Sequence, residues 1–341
     1  MKKAIILFNL GGPDSLDAVE PFLFNLFNDP AIFSLPTILR YPLAKLISKK
    51  RTPVAKAIYS EMGGSSPILQ QTEMQAKAIE QSLKTQNDNY KCFIVMRCWH
   101  PRADLVIKKV KDYNPDQIIL LPLYPQYSAS TSGSSIKEWL EKCEENNVNT
   151  DTKIVCCYPT EDSFILSHVN LIKEKISSED LDETTVIFSA HGLPENKIKK
   201  GDPYQWQVEQ TVEKIMDKLK NEDLDYIISY QSRVGPLKWI GPSTDDIITK
   251  YSKEKKGIVI VPIAFVSEHS ETLVELDIEY KKLAEKNGCS FYKRVPALGV
   301  DESFIKALST LVLQKETTGN FVSSIICPNK FSKCPCLEKK T

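Results

Sequence analysis

Residues 261–280 read VPIAFVSEHSETLVELDIEY, and this stretch decides how the chain folds. It starts as the end of an apolar, β-branched run at 257–265, which has the pattern of a buried strand. Ser267 follows as a candidate N-cap, and a helical pattern begins after it. A strand that passes directly into a helix is one step of an α/β fold.

The helical part of this stretch carries a ridge of acidic residues. A helix puts residues three or four apart on one face. No lysine interrupts the acids before Lys281, and His269 lies beside them. Such a ridge suits a divalent cation or the transfer of protons, whereas an ordinary solvated face is the alternative. The acids are Glu268, Glu271, Glu275 and Glu279.

The alternation of strand and helix patterns continues through the chain. Amphipathic segments separate short apolar runs rich in β-branched residues, which predicts parallel sheets with helices on both faces. The predicted strands are 4–10, 92–97, 117–124, 153–158, 184–190, 226–231 and 257–265.

An internal echo divides the chain. AIILFNLGGP (4–13) resembles TVIFSAHGLP (185–194), and two further strand-plus-turn units recur in the same order. The echo predicts two similar α/β halves, 1–150 and 151–313, followed by an extension at 314–341. Because ligands of open α/β sheets bind beyond the carboxyl ends of strands, we expect a site in a cleft between the halves.

The composition of the chain argues against some classes of function. The chain has 341 residues, 42% of them apolar, and Lys+Arg balance Asp+Glu at 44 each. A net charge of zero argues against nucleic acid as a partner. No run reaches the roughly 18 apolar residues of a spanning helix. The N-terminus reads as a first strand rather than a signal peptide, so we expect a cytoplasmic protein.

His191 ends a predicted strand in FSAHGLP, where Gly192 and Pro194 hold it at the strand tip. An imidazole there can bind a metal or accept a proton near neutral pH, although a lone histidine in this position is more often structural. Aromatic residues flank the same strand ends, and Arg97 lies among them. Flat apolar walls with a few cations suit a large planar ligand that bears carboxylates.

Residues 21–51, called the lip below, depart from the alternating pattern. They are apolar up to residue 47, interrupted by prolines, and end in Lys49, Lys50 and Arg51. Such a segment can line the mouth of an apolar pocket or lie on a membrane surface, and core packing is the alternative.

Three of the nine cysteines, Cys327, Cys334 and Cys336, lie within the last fifteen residues. An odd number of cysteines in a chain expected to be cytoplasmic argues against a disulfide framework and leaves metal binding open.

Together these motifs resemble ferrochelatase. The resemblance covers residues 4 to about 313 and rests on several motifs in the same order: LGGPDSL, RTP at 51–53, GGSSP at 63–67, YPQYSASTSGSS, FSAHGLP, QSRVGP with WIGP, and the stretch at 261–280. It implies the chelatase fold, two Rossmann-like halves around a central porphyrin cleft. It also implies the terminal step of heme biosynthesis, in which Fe²⁺ enters protoporphyrin IX, two protons leave and protoheme forms.

The resemblance implies roles for individual residues. His191 and Glu271 correspond to the family's metal and proton-handling pair, with His269 beside them. The lip corresponds to the family's pocket mouth, which rests peripherally on the inner face of the membrane. The implied acidic path is Glu268, Glu275 and Glu279, and the implied porphyrin contacts are Leu10, Arg97, Tyr124, Trp239 and Phe265.

Some family members carry a [2Fe–2S] cluster, and Cys327-x6-Cys334-x-Cys336 resembles one bacterial ligand set. The fourth ligand would be Cys156 or Cys157, which face opposite sides of a strand, and Cys157 is favoured as nearer the strand end. Zinc and an unliganded tail are the alternatives. Cys98 replaces the tyrosine that often follows the family's arginine, which would alter porphyrin packing or leave a reactive thiol.

Other functions stay open at this level. A chelatase for coproporphyrin, or one that inserts cobalt or nickel, has a similar set of residues. A porphyrin or heme carrier would need the apolar site and Arg97 but not the acidic ridge. The protein is expected to be a monomer or a homodimer.

Overall fold

A computed structural model describes residues 1–176, 183–219, 224–233, 235 and 237–337. The chain forms two compact units. Val234 and Pro236 of the QSRVGP motif, and residues 338–341 of the predicted extension, lie outside the described residues. The first unit is Met1–Tyr124, Ser128–Cys156 and Leu308–Val322, and the second is Pro125–Tyr127, Cys157–Ala307 and Ser323–Thr341.

The first sheet has the strand order β2-β1-β3-β4-β9. β1 pairs in parallel with both β2 and β3, and β3 pairs in parallel with β4. From its third residue onward β1 is buried on both faces, as expected for a parallel strand covered by helices. The strands are β1 (Lys2–Asn9), β2 (Asn89–Met96), β3 (Gln117–Pro122), β4 (Asp151–Cys157) and β9 (Phe321–Ser323).

The second sheet has the order β6-β5-β7-β8, and its pairs are all parallel. Its central strands β5 and β7 are apolar and buried almost throughout. The strands are β5 (Thr184–His191), β6 (Asp225–Gln231), β7 (Gly257–Pro262) and β8 (Tyr292–Arg294).

Helices connect the strands in both units, since parallel neighbours need a crossover. They are α1 (Val19–Phe27), α2 (Thr37–Glu61), α3 (Ile68–Ser82), α4 (Ala103–Tyr113), α5 (Ser132–Glu145), α6 (Asp162–Ile176), α7 (Glu195–Lys199), α8 (Tyr204–Leu219), α9 (Thr244–Lys253), a π-helix (Glu271–Glu279), α10 (Tyr280–Lys286) and α11 (Glu302–Leu313).

The internal echo is confirmed in the order of the strands. In the first sheet β1 lies between β2 and β3 and β4 follows β3, and in the second sheet β5 lies between β6 and β7 and β8 follows β7. The predicted α/β class with two parallel sheets is therefore correct. The echoed turns come directly after the carboxyl ends of β1 and β5, which is where open α/β sheets bind ligands.

The lip folds as α1, a connecting segment and most of α2. Its apolar side chains are largely exposed on α2, where Ile38 is 83%, Leu39 58% and Leu46 66% accessible. Lys45 and Lys49 are exposed on the same helix. Among the helices of the described residues, none combines the length and the apolarity needed to cross a membrane.

Candidate active site

The π-helix at Glu271–Glu279 is the element that builds the site in the second unit. It follows β7 after a short turn, and its N-cap is Ser270. The prediction that Ser267 caps this helix is therefore wrong, and Glu268 lies before the first residue of the helix. In a π-helix each hydrogen bond closes a turn one residue longer than in an α-helix, and such turns are frequent at functional sites.

His191 and Glu271 form the centre of the site. His191 Nδ1 lies 2.8 Å from Glu271 Oε2, with side-chain exposures of 38% and 24%. Tyr204 fixes the strand tip, because its hydroxyl donates to the backbone oxygen of His191 at 3.0 Å. Among the described residues, no hydrogen bond engages His191 Nε2, so this atom is available to a ligand.

The contact between His191 and Glu271 changes the pKa of both side chains. Burial works to lower the pKa of His191, but the Glu271 carboxylate, with Glu275 behind it, raises that pKa above its ordinary value. Burial works to raise the pKa of Glu271, but the charge and the hydrogen bond of His191 outweigh it and lower that pKa. The site therefore favours an imidazolium–carboxylate pair over two neutral groups.

Ser232 connects Glu271 to the next acid of the π-helix. Its hydroxyl lies 2.9 Å from Glu271 Oε2 and 2.6 Å from Glu275 Oε2, and its backbone N–H donates to Glu275 Oε1 at 3.0 Å. Gln231 Nε2 also donates to Glu275 Oε2, at 3.0 Å. Ser232 has a φ of +61°, a left-handed conformation that is uncommon outside glycine and concentrates at functional sites.

The hydrogen-bonded chain continues to the surface. Tyr280 donates its hydroxyl to Glu275 Oε1 at 3.0 Å and lies 3.2 Å from Asp245 Oδ2. Asp245 is exposed at the start of α9. Burial, followed by the neighbouring Glu271 charge, raises the pKa of Glu275. Hydroxyls and carboxyls alternate from His191 to Asp245, an arrangement that can pass a proton from group to group.

His269 lies at the amino end of the π-helix against Phe265, with ring centroids 4.6 Å apart. Its Nδ1 is 3.1 Å from the backbone oxygen of Ser267, so this nitrogen carries the proton and donates. Burial lowers the pKa of His269, so the ring is neutral at physiological pH.

Two predicted members of the acidic ridge lie away from the other two. Glu268 Oε1 pairs with Arg294 Nη1 at 2.8 Å and accepts the backbone N–H of Ala297 at 2.9 Å. Arg294 also pairs with Asp277 at 2.6 Å, so Glu268 belongs to a structural ion-pair cluster. Glu279 is exposed at the end of the π-helix. Among the described residues, Glu271 and Glu275 are the members of the predicted ridge that bond to the same serine, Ser232.

Trp239 packs against the turn that follows β5. A side chain at Gly192 would bring a Cβ within 3.2 Å of the Trp239 ring and 3.0 Å of the Gln231 backbone oxygen. The backbones of Pro194 and Trp239 form an isolated antiparallel bridge. Glycine at position 192 thus lets an aromatic ring lie directly beside the strand tip that carries His191.

Arg97, in the first unit, follows β2 and is held by two acids. Its guanidinium donates to Asp29 at 2.7 and 3.0 Å and pairs with Glu138 at 2.8 Å. Arg102 pairs with the second oxygen of Glu138 at 3.1 Å. Burial works to lower the pKa of Arg97, but the two acids raise it. The guanidinium therefore already has carboxylate partners without any ligand.

The other predicted porphyrin contacts of this unit have defined surroundings. Leu10 packs in an apolar cluster with Cys98 and Trp99, and Tyr124 packs against the core beside the first sheet. Cys98 is 1% exposed, and burial raises the pKa of its thiol to about 12. Since the thiolate is the reactive form, the structure argues against a reactive thiol at Cys98.

The remaining histidines differ from His191. His168 is 2% exposed, its ring packs 4.9 Å from that of Phe164, and burial lowers its pKa to about 3. It is a neutral core residue. His100 is exposed.

The C-terminal cysteines are buried in the second unit. The exposures of Cys327, Cys334 and Cys336 are 2%, 4% and 2%, and the sulfurs of Cys334 and Cys336 lie within 4.8 Å of each other. A hydrogen bond with Cys334, together with burial, raises the pKa of Cys327. Closely spaced buried sulfurs suit a metal ion or an iron–sulfur centre, whose ligands are thiolates.

Gln207 on α8 faces this group of cysteines. Its Nε2 is 3.3 Å from Cys157 Sγ and 3.2 Å from Cys327 Sγ. Cys157 Sγ also lies 3.2 Å from the hydroxyl of Ser323, which donates to the backbone oxygen of Ile325 at 2.6 Å. A serine hydroxyl has one proton, so the thiol of Cys157 is the donor to Ser323.

Sequence reasoning gave no role to several of these residues. Gln231 and Ser232 lie in the QSRVGP motif, which was a signal for the site, but nothing indicated that they bind Glu275. The acids Asp29 and Glu138 lie far from Arg97 in sequence, so no local pattern pairs them. Gln207, Asp245 and Tyr280 lie on amphipathic helices whose polar residues carry no local signal.

A family model described as Ferrochelatase matches residues 2–316. A ferrochelatase of Pelagibacter ubique (strain HTCC1062) is 65% identical over 344 residues, which cover 99% of this chain and 99% of that protein. A ferrochelatase of Rickettsia bellii (strain OSU 85-389) is 51% identical over 341 residues, covering 98% and 94%. One of Caulobacter vibrioides (strain NA1000 / CB15N) is 50% identical over 348 residues, covering 99% and 98%.

The fold is also similar to that of a solved structure, SirB from Bacillus subtilis with Fe³⁺. The TM-score is 0.57 over 92% of this chain and 95% of that chain, and 12% of the aligned residues are identical. At this identity the likeness concerns the fold alone.

Proposed function

The chain belongs to the ferrochelatase family, and from this premise we propose that it inserts Fe²⁺ into protoporphyrin IX to give protoheme. Membership of the family makes it a lyase-type metal chelatase of heme synthesis. The choice of protoporphyrin IX over coproporphyrin is our proposal. The observation that carries the assignment of roles is the 2.8 Å contact between His191 Nδ1 and Glu271 Oε2.

The reaction removes two pyrrole protons and forms the bonds from iron to the pyrrole nitrogens. Neutral His191 accepts a pyrrole proton at Nε2, because Nδ1 donates to Glu271. The Glu271 carboxylate stabilises the imidazolium that forms. Glu271 and His191 are also suited to Fe²⁺, the substrate metal, since imidazole and carboxylate both bind it.

Protons leave the pair through Ser232 and Glu275 in this proposal, with His269 as a neutral base nearby. The 2.6 Å contact between Ser232 Oγ and Glu275 Oε2 supports this route, as does the raised pKa of Glu275, which burial and the Glu271 charge produce. Glu268 and Glu279 remain predicted path residues, with less support from their surroundings.

The proposed porphyrin contacts remain those implied by the sequence. Trp239 and Phe265 supply aromatic surface beside His191 and His269 respectively. Arg97 is the cation of the proposed set, and Asp29 and Glu138 hold its guanidinium in place. Leu10 and Tyr124 complete the proposed set.

Anaerobic insertion assays separate the candidate substrates. Fe²⁺ is supplied with protoporphyrin IX or coproporphyrin III in parallel, and metallation is followed by the change in porphyrin absorbance and the loss of fluorescence. We expect faster turnover of protoporphyrin IX. Preference for coproporphyrin would replace the proposed substrate, and tight binding of both without turnover would favour a porphyrin or heme carrier.

A [2Fe–2S] cluster is the cofactor that the C-terminal cysteines fit best. Cys327, Cys334 and Cys336 would supply three thiolates, and the centre, when bound, supplies one-electron redox chemistry. Cys157 is bonded as a neutral thiol that donates to Ser323, so we propose Cys156 as the fourth ligand in place of the predicted Cys157.

Two serine substitutions test this ligand set. Cys156→Ser is expected to lose iron and visible absorbance after anaerobic purification, whereas Cys157→Ser keeps both. The reverse result would restore Cys157 as the ligand. A colourless wild-type protein that contains no iron and sulfide would exclude the cluster, and one equivalent of zinc would identify the alternative metal.

Peripheral contact with the inner face of the membrane is the remaining part of the proposal. The exposed Leu39 and Leu46 of the lip lie on the helix that also carries Lys45 and Lys49, a combination suited to an anionic lipid surface. Leu39→Asp with Leu46→Asp is expected to abolish sedimentation with anionic vesicles. Leu105→Asp, at an exposed leucine of α4, is the matched control. Wild-type protein that ignores the vesicles would contradict the proposal.

A further inference from the structure

The side-chain amide of Gln207 directs both of its hydrogens toward sulfur. Gln207 is fully buried, and its Nε2 lies 3.3 Å from Cys157 Sγ and 3.2 Å from Cys327 Sγ. An amide nitrogen has two hydrogens, so each sulfur takes one. The residue belongs to α8 and lies about 120 positions before Cys327 in the chain.

The orientation of this amide is fixed by a third contact. Gln207 Oε1 accepts the backbone N–H of Tyr127 at 2.7 Å. A backbone N–H can only donate, so the oxygen must face Tyr127 and the nitrogen must face the two cysteines. The backbone is held as well, since Thr211 donates its hydroxyl to the Gln207 oxygen at 2.9 Å.

Two buried N–H donors that face sulfur atoms bear on the charge of those sulfur atoms. A thiol sulfur is a weak acceptor, whereas a charged thiolate takes part in stronger, charge-assisted bonds. Cys157 can accept one N–H as a neutral thiol, because its own proton goes to Ser323. The other N–H faces Cys327, which in the proposed ligand set is a thiolate. The donor therefore matches the charge that metal binding creates on Cys327.

We propose that Gln207 is a positioning residue of the cluster, which holds the Cys327 thiolate by an N–H···S hydrogen bond and raises the reduction potential of the centre. Hydrogen bonds to ligand sulfurs disperse their negative charge and favour the reduced state, which carries one electron more. The inference rests on the cluster proposed above.

The test compares the wild-type protein with three variants purified anaerobically. Gln207→Glu preserves the shape and an acceptor for Tyr127 but replaces the N–H donors with oxygen. Gln207→Leu removes the polar group. Gln205→Leu is the control on the same helix, where the side chain bonds to Glu209 instead. Each is measured for iron and sulfide per chain, electron paramagnetic resonance of the reduced cluster, and reduction potential by dye-linked titration.

We expect Gln207→Leu to shift the one-electron equilibrium about tenfold toward the oxidised form, which is 59 mV, and Gln205→Leu to leave it unchanged. Loss of iron from folded Gln207→Glu, with iron retained by Gln205→Leu, is expected as well. Potentials and iron contents equal to wild type in both Gln207 variants would overturn the inference. A wild-type protein without iron and sulfide would overturn the cluster itself, so the two failures are distinguishable.

Discussion

The carboxyl ends of the two sheets carry different kinds of charge network, although their strands have the same order. After β2, Arg97 and Arg102 face Asp29 and Glu138, so that two permanent cations meet two carboxylates. After β5 and β6, the partners of the acids are one imidazole and neutral hydroxyl and amide groups.

The difference between the two networks indicates which of them is suited to proton transfer. Arginine does not lose its proton in proteins, so the first network is static at any physiological pH. The second joins His191, whose pKa is raised, to Glu275, whose pKa is also raised. Groups that titrate near one another can exchange protons with a substrate. Two sheets of the same strand order thus carry an arginine–carboxylate network in one unit and, in the proposed mechanism, a proton-handling network in the other.

The largest expected effect is that of removing the imidazole. His191→Ala is expected to lower kcat about 10²–10⁴-fold, the contribution of a positioned general base, while porphyrin binding persists. Insertion kinetics and fluorescence quenching measure the two quantities. His100→Ala, at an exposed histidine, should behave as wild type. Near-normal turnover of His191→Ala would contradict the proposed difference between the two networks, because the second network would then be structural as well.

Arg97→Met disrupts the first network and is expected to lower the free energy of unfolding. It leaves the buried Asp29 without its cation, whereas the half-buried Glu138 keeps Arg102, and breaking a buried pair costs about 3–5 kcal/mol. Urea denaturation measures the free energy of unfolding. Lys56→Met, which breaks an exposed pair with Asp17, is the control and should cost about 1 kcal/mol or less. An unchanged unfolding midpoint for Arg97→Met would show that its main role is toward a ligand.

Glu271→Gln tests the coupling inside the second network. It removes the charge that raises the pKa of His191, so that pKa falls and the neutral imidazole is present at lower pH. The acid limb of kcat/KM against pH should therefore move to lower pH, and the maximum rate should fall about 10²-fold, because the imidazolium loses its counter-charge. A limb that stays in place, or moves to higher pH, would separate His191 from the rate-limiting proton transfer.

Tyr280→Phe has the smallest expected effect. It removes one donor to Glu275, so the pKa of Glu275 rises further, and stability falls by about 0.5–1.5 kcal/mol. Any limb of the pH profile that belongs to Glu275 should move to higher pH. Tyr292→Phe also loses a hydroxyl hydrogen bond, to the backbone of Leu276, and should change stability without moving the profile.

Much of the fold could be predicted because parallel strands are buried on both faces. Each such strand therefore appears in the sequence as a continuous run of apolar residues. The internal echo predicted two similar α/β halves, whereas the order of the strands within each sheet became known only from the structure. His191 ends a buried strand and Glu271 comes after one, which placed both near an expected ligand site, but their pairing was implied by the resemblance to ferrochelatase and not by their spacing.

The rest depends on contacts that no local pattern records. The spacing of the glutamates fits an α-helix, but the segment is a π-helix whose N-cap is Ser270, so Glu268 lies outside it. The bonding state of Cys157 depends on Ser323, which lies 166 positions away. The left-handed turn at Ser232 is fixed by its bonds to Glu275 and not by its own preference.

The π-helix has a consequence for insertions and deletions in the gene. Each of its hydrogen-bonded turns contains one residue more than an α-helical turn. Deletion of one codon within Glu271–Glu279 would let the segment close as an ordinary α-helix, while the strands of the second sheet keep their pairing. The acids on either side of the deletion would then rotate relative to each other. Chain length at this point, as well as residue identity, therefore sets whether Glu271 and Glu275 can reach the same serine.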